Sequence, residues 1–273
     1  MKKLLIFFLS VLASGFKWGY AQDELTRMAE LFKERLNPQK LDECIQIGEA
    51  LLSREPHRQA AVLLARAYYF KGEGTTDKDK RLEYFDKGVK AGEVALSTIP
   101  AYKEAIAARE KEENVVKKLG KEDMDALYWT AANLARYAKF APFSKKLAVK
   151  SRVRYLWDRV MEVDPDYNYG GVYRFFGGYY ALVPSITGEQ DPAKSREMFE
   201  KGIQSAPQYL ETKVLYAEAY CTHGKVKDRE LFRKLLNDVL TADVSAYPEI
   251  APENEIAKAK AKDLLAREAE LFD

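Results

Sequence analysis

Few residues of this chain could carry covalent or metal chemistry. It holds two cysteines, Cys44 and Cys221, and two histidines, His57 and His223. A thiol beside an imidazole would make a nucleophile and its base, and Cys221-Thr222-His223 looks like the beginning of a metal site. A zinc centre needs three or four such ligands, and no second pair follows at suitable spacing. The sequence contains no G-x4-G-K-[ST] phosphate loop, no G-x-S-x-G elbow and no H-E-x-x-H pair. Its acidic residues are spread over helix faces, where they pair with lysines one turn away. The expectation is a protein that is not an enzyme and uses no metal and no cofactor.

The chemistry that the residues do offer is that of binding. From Asp164 to Pro184 the chain reads DPDYNYGGVYRFFGGYYALVP, a crowd of tyrosines and phenylalanines interrupted by Gly170-Gly171 and Gly177-Gly178. The first pair falls where a helix should start and the second inside it. A glycine within a helix costs about 1 kcal/mol relative to alanine. Close approach of another backbone or of a bound molecule is the usual offset. The stretch is therefore either a tight aromatic core between two helices or an aromatic-walled cavity with its own arginine. Arg174 either pairs with Asp164 or Asp166 or faces a ligand carboxylate. A second helix, YWTAANLARYAK, carries Tyr128, Trp129 and Asn133, with Asn133 on the same face as Trp129. A buried asparagine needs partners, so Asn133 either caps a neighbouring helix end or orients a ligand. The candidate ligand-binding set is Tyr128, Trp129, Asn133, Tyr173, Arg174, Gly177 and Tyr180. In it the aromatics supply walls, Gly177 permits close approach, and Asn133 and Arg174 orient a polar end.

The elements that must position these residues read as helices throughout. Leu41, Cys44, Ile45, Gly48, Leu51 and Leu52 recur at helical spacing, as do Met124, Leu127, Tyr128, Ala131, Leu134, Ala135 and Ala138. No run alternates long enough to suggest a strand. Pro38, Pro56, Pro100, Gly120, Pro165, Pro207 and Gly224 mark helix stops, and Asp191-Pro192 marks a start. The fold class is all-α, with about twelve helices. Four quartets share one spacing: Cys44, Gly48, Leu51 and Pro56; Gly88, Gly92, Ala95 and Pro100; Val153, Trp157, Val160 and Pro165; Ser195, Phe199, Gly202 and Pro207. That is the second-helix pattern of a tetratricopeptide repeat, in degenerate form and with irregular period. The longest gap holds an extra helix from about Ala101 to Lys118 with a largely solvated surface. A helix-pair array of this kind leaves a concave face or cavity for a ligand or peptide.

Residues 1–21 read as a secretory signal peptide. Lys2 and Lys3 precede an apolar run too short to span a bilayer, and Gly19-Tyr20-Ala21 suits cleavage. The expected mature chain, 22–273, is one all-helical domain exported to the periplasm, with no lipobox cysteine at its start. Removing three lysines leaves 41 basic against 42 acidic residues, a net charge of about −1. Such a balance offers no general attraction for nucleic acid or anionic lipid. Cys44 and Cys221 fall on apolar helix sides, which favours buried free thiols.

The order of four segments resembles the T component of tripartite ATP-independent periplasmic (TRAP) transporters, the TatT family. They are ALYWTAANLARYAK from Ala126, MEVDPDYNYGGVYRFFGGYYALVP from Met161, DPAKSREMFEKGIQSAPQYLETKVLYAEAY from Asp191, and PENEIAKAKAKDLL from Pro252. The resemblance implies an all-helical protein with hidden tetratricopeptide motifs that assembles as a homotrimer. It further implies association with the periplasmic solute-binding (P) protein of a TRAP transporter, and a cavity for a small hydrophobic or organic-acid ligand. The other reading is a tetratricopeptide-like interaction scaffold of the cell envelope.

Overall fold

A computed structural model describes residues 22–273 of the protein. The predicted signal peptide lies outside the described residues. Among them no residue is in a strand, and fourteen α-helices account for most of the chain, as expected. The chain divides into two compact units, residues up to Ser151 and Arg152–Asp273.

The first unit holds α1 (residues 22–33), α2 (Pro38–Arg54), α3 (Arg58–Glu73), α4 (Lys78–Ser97), α5 (Pro100–Ala107), α6 (Glu112–Val116), α7 (Met124–Phe140) and the start of α8 (Phe143–Val163). Its main packing runs α2 on α3, α3 on α4 and α4 on α7. The helix starts are set locally. Asn37 accepts from the Gln39 and Lys40 amides, and Asp77 from those of Asp79 and Lys80. Each satisfies donors that the first turn leaves without helical partners. Pro38 and Pro100, read as stops, open the helices that follow them, where a missing N–H costs nothing. The expected helix over 101–118 is two short ones. The chain turns between them at Arg109, whose φ is 62°; Tyr102, Val115 and Val116 are buried, while most of the stretch is exposed, as expected.

The second unit holds the rest of α8, α9 (Tyr167–Leu182), α10 (Pro192–Ser205), α11 (Glu211–Leu215), a six-residue π-helical turn (Tyr216–Cys221), α12 (Arg229–Thr241), α13 (Ala251–Ala266) and α14 (Glu268–Phe272). Asp191 caps α10 through the Lys194 amide, as its pairing with Pro192 predicts. The core is aromatic and aliphatic. Phe199 of α10 stacks on Tyr216 at 4.9 Å, and Phe232, Leu236, Val239, Ala257 and Ala261 fill the space around it.

The four sequence quartets fall on α2, α4, α8 and α10, and the first three members of each are buried. Their small members set how near helices come. A Cβ on Gly88 would lie 2.0 Å from Asn133 Oδ1, and one on Gly92 would lie 2.4 Å from Thr130 Oγ1. Both contacts bring α7 onto α4. The same logic holds in the second unit, where a Cβ on Gly177 would lie 2.8 Å from the Phe199 ring.

Candidate functional site

The site begins with a feature of backbone chirality. At the start of α9, Asn168, Tyr169 and Gly170 have φ,ψ of 49°,55°, 59°,45° and 64°,37°, one turn in the left-handed sense. Glycine occupies that region freely, whereas Asn168 and Tyr169 bring a Cβ too near the carbonyl that follows, at a cost of roughly 1–2 kcal/mol each. Asparagine is among the residues that tolerate it best, and Asn-Tyr-Gly-Gly is a sequence that can turn this way. The right-handed part of α9 follows.

Arg174 holds the turn. Its guanidinium donates to the Tyr169 carbonyl and, at 2.9 Å, to the Asn168 carbonyl. It also lies 4.1 Å over the centroid of Tyr209, on which Tyr169 stacks at 5.2 Å and 16°. Hydrogen bonds from a charged donor contribute about 1.5–3 kcal/mol each, so two are enough to offset the strain of Asn168 and Tyr169. Of the two roles that the sequence leaves open for Arg174, the ion pair with Asp164 or Asp166 does not form, because backbone carbonyls of its own helix start take the guanidinium. Asn254 of α13 secures the segment opposite the turn, accepting from the Leu210 amide and donating to the Gln208 carbonyl, both at 3.0 Å.

Beside the left-handed turn is an open recess of about 460 Å³ lined by Asp166, Asn168, Tyr169, Ser205, Ala206 and Gln208. Its volume suits a small molecule. Asp166 accepts from Ser205 Oγ at 2.6 Å, and the Asp166 carbonyl accepts the Gly170 amide. Burial, and then the charge of Asp166, push the Tyr173 phenol above its ordinary pKa, while Lys201 acts in the opposite direction.

The other sequence-predicted residues of this unit lie along α9. Tyr173 packs over Gly170 and Gly202. Gly177 accepts Ser195 Oγ at its carbonyl, 2.7 Å, and lies under Phe199. Tyr180 belongs to a chain of rings with Phe176 and Tyr179, and the Lys194 ammonium lies 5.7 Å from its centroid. Further along that chain Trp157 stacks on Phe175 at 4.7 Å. Nothing in the structure explains Gly178, whose Cβ position faces open space.

Tyr128, Trp129 and Asn133 lie in the first unit and are buried. Asn133 Nδ2 donates to the Ala65 carbonyl at 3.1 Å and to the Trp129 carbonyl at 2.9 Å, tying α7 to the middle of α3 rather than capping a helix end. Its Oδ1 is buried against Gly88 without a hydrogen-bond partner. Trp129 meets Tyr69 and Tyr128 edge-on, with Arg66 over its ring. Arg136 pairs with Glu73 at 2.7 Å and donates to the Tyr69 hydroxyl at 3.2 Å, and burial raises the Tyr69 pKa to about 12.

Both thiols are free and buried, and burial pushes each to about 12, so neither is a thiolate nucleophile at neutral pH. His57 caps α3 through Nδ1, and His223 accepts the Lys225 amide. Among the described residues no three His, Cys, Asp or Glu side chains are grouped to hold a metal. No described helix is long and apolar enough to cross a membrane.

Charge balance over the whole chain conceals one local excess. Between Asp125 and Asp158 there are seven basic residues and no acidic one. Within that stretch the first two turns of α8 are largely exposed, with Phe143 at 74% and Leu147 at 64% beside Lys145 and Lys146. Sequence reasoning missed this surface and the recess rim, although the basic run and the Asn-Tyr-Gly turn are both visible in the sequence.

The family model described as TRAP transporter T-component matches residues 75–272, most of the chain. No curated protein matches.

Proposed function

We propose a function from one premise: this chain belongs to the TRAP transporter T-component family. It serves a TRAP transport system as a non-catalytic periplasmic accessory that binds a small organic or hydrophobic ligand and engages the solute-binding protein. It assembles as a homotrimer, and its helix pairs are degenerate tetratricopeptide-like repeats. The observation that carries this reading is the family match, which spans both compact units.

The exposed start of α8 favours a protein partner in particular. Phe143 and Leu147 are one turn apart, on one face, with Lys146 bordering it and Lys145 on the opposite side of the helix. An acidic, partly apolar face of the solute-binding protein complements that surface, through a few apolar anchors inside a charged rim. Native mass spectrometry of residues 22–273 purified from the periplasm, alone and with the cognate solute-binding protein, tests the proposal. The expected result is a trimer that carries a small extra mass or retains the partner. A bare monomer that ignores the partner overturns it. Lys145→Glu with Lys146→Glu is expected to weaken partner binding and to leave the fold unchanged.

A further inference from the structure

The recess beside the left-handed turn differs in sign from the organic-acid site that the sequence suggested. We infer that it binds a small cation, an aliphatic amine or quaternary ammonium, and that Asp166 is its counter-charge. This rests on the ligand-binding part of the proposed function and specifies the chemistry of the ligand.

None of the six lining residues carries a positive charge. The nearby guanidinium, that of Arg174, has two of its donors spent on the carbonyls of Asn168 and Tyr169 and its face on Tyr209. No rim side chain offers an anion a positive charge, and the nearby Lys201 ammonium pairs with Glu197 at 2.7 Å. The Asp166 carboxylate, by contrast, is held by one neutral donor, Ser205 Oγ, and no lysine or arginine pairs with it among the described residues. A carboxylate accepts several hydrogen bonds when ionised, so Asp166 retains capacity for an ammonium. The Gln208 carbonyl takes the Asn254 amide and keeps a second lone pair. Tyr169, also on the rim, has its ring stacked on Tyr209, and a cation that reached its other face within about 6 Å would gain from it. Acceptors, one net negative charge and an aromatic side select for a donor-rich cation.

The conformation of the turn agrees. A regular right-handed start to α9 would avoid the strain at Asn168 and Tyr169, yet the fold maintains the left-handed turn with a buried arginine and an aromatic stack. Strain that surroundings hold in place is a mark of functional segments. Here it places residues 166, 168 and 169 on one rim with Ser205 and Gln208 of the next connection.

Isothermal titration of residues 22–273 with putrescine, choline, succinate and glycerol tests the inference. Putrescine or choline is expected to bind saturably at millimolar or lower concentration, and succinate and glycerol not to bind. Asp166→Asn keeps the shape, the Ser205 contact and the backbone bond to Gly170. It is expected to weaken the amine by about tenfold or more, with an unchanged melting temperature. Ser205→Ala is expected to have a smaller effect. Amine affinity unchanged in Asp166→Asn, succinate preferred over both amines, or no amine binding at all overturns the inference. The two readings fail separately. Succinate binding leaves a ligand-binding accessory intact and removes only the sign. Amine binding in a monomer that ignores the solute-binding protein keeps the site and removes the transport role.

Discussion

The adjacent glycines of α9 provide a direct test of how tightly the aromatic stretch is packed, because one substitution at each should act with opposite sign. Alanine in place of glycine within a helix gains about 1 kcal/mol if its methyl meets nothing. Gly178 satisfies that condition, since no heavy atom lies within 4 Å of its Cβ position. At Gly177 the same methyl would lie 2.8 Å from three atoms of the Phe199 ring. That ring is fully buried and stacked on Tyr216, so it cannot retreat without moving a second aromatic. Overpacking of this kind costs about 1–3 kcal/mol. Gly178→Ala should therefore stabilise by up to about 1 kcal/mol, and Gly177→Ala should range from neutral to about 2 kcal/mol destabilised once the helix gain is subtracted. Urea titrations followed by circular dichroism measure both, with the midpoint read at constant slope. Phe199→Leu introduced into Gly177→Ala should recover part of the loss by vacating the space. If Gly177→Ala proves as stable as Gly178→Ala, Phe199 does not hold α9 and α10 at the stated distance, and the close approach read into this glycine is wrong.

Three further outcomes are expected. Gly88→Ala should destabilise by about 1–3 kcal/mol through collision with Asn133. The loss in Gly88→Ala with Asn133→Ala should fall well short of the sum of the single changes, a coupling that a double-mutant cycle on denaturation midpoints reads directly. Asn168→Gly, which removes a Cβ from a residue at φ 49°, should stabilise by up to about 1 kcal/mol, and a loss of stability in the same titration would count against strain there. Cys44 and Cys221 should resist a thiol reagent at pH 8 in the native state and react on unfolding. Their folded pKa values stand above the ordinary 9, so the folded state holds protons that the unfolded one releases. Stability from these groups is complete below pH 9 and erodes as pH rises towards about 12.

The helices were legible because their signals are local. The capping acceptor before Pro192, the spacing of Cys44, Gly48 and Leu51, and the small residues at 88, 92 and 202 all act within one or two turns or one helix contact. The split of the expected helix over 101–118 was less legible. Its break depends on one residue, Arg109, taking a left-handed conformation that its side chain does not favour, and its burial depends on Tyr102, Val115 and Val116 finding cover. The candidate site was legible in place and not in detail. The Asn-Tyr-Gly-Gly run pointed to the start of α9, but composition cannot state that two non-glycine residues will be held left-handed, or which carbonyls an arginine six residues on will take. Asn133 likewise declared itself as a buried polar residue, whereas its acceptor, the Ala65 carbonyl, is 68 positions away.

The position of Arg174 alters what an arginine in an aromatic stretch implies for function. Read from sequence, it is either the partner of Asp164 or Asp166 or the anchor for a ligand carboxylate. In the fold its donors close on the backbone of its own helix start, and a buried guanidinium so engaged is costly to redirect. A ligand that needed this arginine would have to break two charge-assisted bonds and release the strain that they hold, so the recess beside it is better suited to a molecule that leaves Arg174 where it is. Arg174→Met separates the two roles. Loss of the brace should destabilise the second unit by about 2–4 kcal/mol if both bonds and the Tyr209 contact are structural, because two partly buried carbonyls then lose their donors. Loss of an anion anchor would instead leave the denaturation midpoint nearly unchanged and abolish binding of a carboxylate. A stable Arg174→Met that no longer binds succinate would refute the structural role assigned to this residue.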